Sequence, residues 1–283
     1  MSQPFSRPFA PSCRRRNPFR RFGQALLFAA TVAVGSALAG DSLAPNLEPW
    51  QAITRLKYTH AVDLFRQSND DTSKLGLAIA LLNAQPVTQA RTDEAAQILQ
   101  RLRTSPNADT AANATYFLAR LETLHRHPPA FDKALALYDD LIAQHPRHVL
   151  AQQAIAKAGA IRIFNAPTSD LQTTYARVAA QAPTLTDADA RRDFHLMLAD
   201  AATLLKLPDA DILQHLLAAN DVGISRRKNQ ADILIRIART AERAGRTDLT
   251  RRYYNEFLTT FGRDPRAYYV RTQLEALKAP EVR

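Results

Sequence analysis

Two histidine pairs, His125-x-His127 and His145-x-x-His148, are the first residues in this chain whose spacing suggests metal chemistry. Zinc ligands must converge to within about 2 Å of the ion. Each pair, however, closes one of two successive apolar-periodic helices. Antiparallel helices of about 15 residues place such ends roughly 22 Å apart. The pairs therefore read as turn histidines, and no metal site is expected. The paired carboxylates Asp187/Asp189 and Asp209/Asp211 fall at predicted helix starts, where negative charge favours the helix dipole. Acid–base work would need a second group and a cleft. There is no Gly-rich phosphate loop, no nucleophile elbow and no His-Glu-x-x-His pattern, so neither an enzyme nor a cofactor is expected. Arg236, Arg239 and Arg243 recur at i, i+3 and i+7, opposite Ile233, Leu234, Ile237 and Ala241. Two readings fit. The stripe is either a solvated face, with Asp232 pairing Arg236 for about 0.2–0.5 kcal/mol, or a basic strip suited to an acidic tail or a peptide carboxylate.

These residues must be positioned by helices, because no stretch alternates apolar and polar residues as a strand would. The clearest helix runs from Phe131 to Pro146, with Ala134, Tyr138 and Leu141 at i, i+4 and i+7 and a proline closing it. Equivalent anchors are Ala95 (with Leu99, Leu102 and Pro106), Leu171 (with Tyr175, Val178 and Pro183), Ala210 (with Leu217) and Thr250 (with Tyr254 and Phe257). They stand 37 to 40 residues apart. Ahead of each lies another apolar-periodic stretch: Leu75 to Leu82, Tyr116 to Leu124, Ile155 to Ile163, Phe194 to Leu205 and Ile233 to Ala241. A constant period of this length implies helix-turn-helix units, which hide their apolar sides only by stacking. Trp50 to Gln67 is expected to form one further helix that caps the array or completes a first unit. Thr168 or Ser169, Thr186 and Ser225 are the expected N-caps. Prolines 106, 146 and 183 end helices because they lack an N–H and restrict the preceding residue.

Leu118, Leu121, Phe131, Ala134, Tyr138, Leu141 and Pro146 together resemble the tetratricopeptide repeat, and Arg252 to Ala267 resembles the repeats of bacterial envelope proteins. The resemblance spans roughly residues 48 to 278. Leu118 stands where the family has tryptophan, and Glu122 where it has glycine. The resemblance implies an all-α, right-handed superhelical stack of antiparallel hairpins whose first helices line a concave groove. Counted from the anchors, Tyr116, Arg120, Gln153, Lys157, Arg192, His195, Arg236 and Arg239 would lie near that groove. The implied function is a scaffold that docks a partner protein or peptide there. A self-assembling structural subunit of an envelope complex is the alternative.

Residues 1–39 differ in composition from the rest. They hold Arg7, Arg14, Arg15, Arg16, Arg20 and Arg21, no acid, and an apolar run from Ala25 that closes with Ala37-Leu38-Ala39. A basic start, a short apolar core and a small-x-small site read as a secretory leader. A membrane-spanning helix needs about 20 apolar residues, and this core is shorter. Cleavage after Ala39 is therefore expected, with a retained inner-membrane anchor over residues 22–39 as the other outcome. In either case the repeats, residues 40–283, would be extracytoplasmic and periplasmic. Setting those six arginines aside from 37 basic residues against 27 acidic ones reduces the net charge from +10 to +4. Nucleic acid is thus not an expected partner. The single cysteine, Cys13, lies in the leader, so no disulfide is expected in the repeats.

Overall fold

The computed structural model describes residues 47–166, 170–224 and 226–277. The leader, its cleavage site and the cap positions Thr168, Ser169 and Ser225 lie outside them. Thirteen α-helices and no strand occur among the described residues. They are α1 Leu47–Thr54, α2 Tyr58–Phe65, α3 Asp71–Asn83, α4 Gln89–Leu102, α5 Ala108–Leu124, α6 Phe131–Gln144 and α7 Val149–Phe164. The rest are α8 Leu171–Ala179, α9 Ala188–Leu204, α10 Asp209–Val222, α11 Arg227–Arg243, α12 Thr247–Phe261 and α13 Ala267–Ala276. Each packs on its neighbour in chain order, giving an all-α solenoid of hairpins α1–α2 to α11–α12 with α13 closing the row.

The anchors explain the hairpins. Ala95 and Ala134 have no exposed surface, and the residues four and seven positions on, Leu99 and Leu102 or Tyr138 and Leu141, are buried behind them. A methyl side chain at the crossing lets two helix axes approach closely, and the larger residues fill the space beside it. Thr250, Tyr254 and Phe257 repeat this in α12. In α10 the expected anchor is displaced. Ala210 is exposed and Leu217 only partly buried, while Ile212, Leu216 and Ala219 carry the buried stripe. The helix starts at Asp209, directly after Pro208, and its first buried residues are Ile212 and Leu213. Trp50 to Gln67 is likewise two helices rather than one. Leu56 adopts φ 60°, and the N–H groups of Leu56 and Lys57 bond the carbonyls of Ile53 and Ala52 at 2.9 and 2.8 Å. This left-handed cap reverses the chain so that Trp50 meets Phe65 edge-to-face with centroids 5.1 Å apart.

The N-caps fall on acids more than on hydroxyls. Asp70, Asp170 and Asp187 accept from the N–H of Ser73, Thr173 and Ala190 at 2.9, 2.9 and 2.7 Å. Thr186 is one residue too early to cap α9, and its N–H instead donates to Gln152 Oε1 at 2.8 Å. That bond is one of several that link adjacent hairpins at about the repeat period. Arg103 binds Asp140, Arg126 binds Asp93, and Arg243 binds Asp209, at 2.8, 2.7 and 2.7 Å. Exposed pairs of this kind contribute about 0–1 kcal/mol each, so they align the hairpins more than they hold them.

First and second helices pack unequally. Among the described residues α3, α5, α7 and α9 each pack closely on the next of the set, whereas α4, α6, α8 and α10 meet one another less closely, through side chains such as Arg103 with Asp140 and Tyr175 with His215. A row held closer along one side bends toward that side, which places α3, α5, α7 and α9 on the inner, concave face. Two glycines let first helices admit the side chains of neighbouring helices. A Cβ on Gly76 would lie 2.3 Å from the Phe65 ring, and one on Gly159 2.8 Å from Val178 Cγ1. The buried side chains form three clusters along the chain: Trp50 to Ile161, Ile155 to Ala201, and Ala199 to Val270. The middle cluster is the smallest and includes α8, in which Val178 alone is fully buried.

Two substitutions check this account by urea unfolding. Gly76→Ala should lose about 2 kcal/mol, because displacing the Phe65 ring outweighs the gain in helix propensity. Lys206→Gly should gain about 1 kcal/mol, since Lys206 sits at φ 54° in a cap like that at Leu56.

Candidate interaction surface

The concave face carries a polar band across four first helices. On α5, the Tyr116 hydroxyl is buried and donates to Gln153 Oε1 of α7 at 3.3 Å. One turn on, the half-buried Arg120 guanidinium lies 5.8 Å from the centre of the Phe117 ring. Lys157, one turn beyond Gln153, is 7 % exposed. Burial lowers its pKa to about 8, against the pull of Asp193, and Arg120 acts in the same direction as burial. On α9, Arg192 binds both Asp189 and Asp193, the latter at 3.0 Å. Asp200 binds Arg236 of α11 at 2.6 Å, yet burial raises its carboxyl above the ordinary range in spite of that partner. Arg239 is exposed and has no carboxylate partner within 4 Å among the described residues.

Seven of the eight positions expected near the groove therefore fall on or beside one band. His195 does not join it. Its Nδ1 lies 3.1 Å from Nδ1 of His215 on α10, between the two helices of its own hairpin. The pairing expected within α11 also differs: Asp232 binds Arg266 at 2.5 Å, and Arg236 reaches across to α9 instead. An aspartate on a neighbouring helix is invisible to an i, i+4 count. Asp193 and Asp200, which set the charge of the band, were not singled out from the sequence. Their seven-residue spacing on α9, which puts both on one face, was the available signal.

The band offers guanidinium and ammonium groups, the carboxylates of Asp189, Asp193 and Asp200, one amide and one hydroxyl over an apolar floor. The histidine pairs sit at hairpin ends, with His125 C-capping α5 and His148 N-capping α7. No group of three or more His, Cys, Asp or Glu side chains is placed to hold a metal among the described residues. No helix among them is long and apolar enough to cross a membrane.

Lys157 makes the band measurable. An amine whose folded pKa is lowered binds fewer protons than in the unfolded chain between about pH 8 and 10.5, so stability should rise with pH through that window. Lys157→Met should lack that rise, as followed by urea unfolding across pH.

No family model matches the chain, and no curated protein matches it. Among solved structures it is similar to a thermophilic TPR protein in Thermus thermophilus, at 17 % identity over 74 % of this chain and 98 % of that one, with a TM-score of 0.44.

Proposed function

We propose that this chain is an exported scaffold that binds a protein partner along the concave face, through an acidic segment laid across Arg120, Lys157 and Arg239. The carrying observation is Lys157. A lysine held in a largely apolar helix layer costs stability, and such costs concentrate where a binding surface needs the group. Arg120 and Arg239 extend the positive charge along the band, while Arg192 and Arg236 are already engaged by Asp189, Asp193 and Asp200. Arg236 thus serves the array itself. Reversing its charge would set two carboxylates against each other, so that substitution probes folding rather than docking. The leader-like composition of residues 1–39 supports an extracytoplasmic, periplasmic location, with residues 22–39 as an anchor if the leader is retained.

Tyr268 and Tyr269 favour a second reading. Both are exposed on the terminal helix α13, 79 % and 40 % respectively, as an end-to-end contact between copies would require. Photo-crosslinking in the native cell separates the two. A photoreactive residue at position 120 or 239 should give one shared adduct with a different protein, absent when it is placed at 101 or 133 on the second helices. An adduct only from position 268, at twice the chain mass, would replace the scaffold by a self-assembling subunit.

A further inference from the structure

We propose that Tyr175, His215 and His195 form a clasp that holds α8 in the solenoid at neutral pH and releases it in acid. Tyr175 Oη lies 3.0 Å from Nε2 of His215, whose Nδ1 lies 3.1 Å from Nδ1 of His195. The line crosses three helices: α8, α10 and α9. The imidazole rings tilt by 33° with centroids 5.4 Å apart.

The geometry sets the proton count. Between two facing Nδ1 atoms a single hydrogen makes a bond. With His215 donating from Nδ1 to His195, its Nε2 accepts from the Tyr175 hydroxyl, and the facing atoms of all three residues are matched. One added proton is tolerated, because a charged His215 donates to both neighbours. A second proton is not. Two N–H groups then face each other at 3.1 Å, between like charges. The surroundings make protonation harder still. Burial lowers the pKa of His195, and Arg191 on α9 adds to this. Burial followed by His195 lowers that of His215, opposed by Asp211 on α10. Asp211 also faces Tyr175. Imidazoles with lowered folded pKa values bind fewer protons than in the unfolded chain. The stability they confer is therefore complete above about pH 6.5 and is lost as the pH falls below it.

The helix that would let go is the one least held by other means. α8 has nine residues, Val178 is its one fully buried side chain, and Tyr175 alone packs against both the middle and the C-terminal apolar clusters. Losing the clasp leaves α7 packed directly on α9, so the row stays continuous while one outer helix opens.

Hydrogen exchange of the full chain, with a chelator present and rates corrected for intrinsic pH dependence, tests this. Between pH 7.5 and 5.0 the protection of residues 171–179 should fall at least tenfold, while α11 and α12 change less than twofold. His195→Gln presents an amide oxygen to a charged His215 and should abolish the fall. Tyr175→Phe should leave α8 weakly protected at both pH values. Protection of α8 that is independent of pH, a fall shared equally by all helices, or a fall that persists in His195→Gln would overturn the clasp. Should neither variant fold, imidazole titration of the wild-type chain decides: two separated steps, the second well below the ordinary histidine range, are required.

Discussion

Close approach of helices at methyl-sized or absent side chains is the constraint on which the rest of this structure depends. At Ala95 and Ala134 a hairpin closes on itself, and at Gly76 and Gly159 a first helix admits the side chains of its neighbours. A layer built on such contacts has no room for stray polar groups. Every polar atom within it must be matched or must cost stability. The curvature follows from an inequality of packing, since α3, α5, α7 and α9 approach one another more closely than α4, α6, α8 and α10 do.

Against that background the inner band is an exception the fold tolerates. Tyr116 meets Gln153, Arg192 meets two aspartates, and Asp200 meets Arg236, so most of the polar groups are accounted for by the array itself. Arg120 and Arg239 add positive charge on either side of the buried Lys157, which feels the pull of Asp193. The charge that a partner would sense is thus smaller and more local than a net charge of +10 suggests.

Element type and order were legible in the sequence because a helix buried on one stripe must repeat its apolar residues at 3.6, and hairpins that stack must repeat as units. Small anchors such as Ala134 could be read for the same reason. Three kinds of feature could not. The break at Leu56 depends on a left-handed residue that is not glycine, which carries no sequence signature. The two-residue shift of the α10 anchor depends on where Pro208 lets the helix begin, and one wrong start moves every assigned face. Partners on other helices, such as Asp200 for Arg236 or His215 for His195, are set by the stacking geometry. The band was foreseeable as a set of residues on first helices, but its internal pairing was not.

The division of the aliphatic interior into three pools has a mechanical consequence. Ile155 and Ile161 on α7 belong to different pools, as do Ala199 and Ala201 on α9, so two helices stitch the whole row together. A chain pulled from its ends would yield in separate steps, one pool at a time. The small central pool would set the weakest step, and tension on the rod would be felt there before either flank gave way.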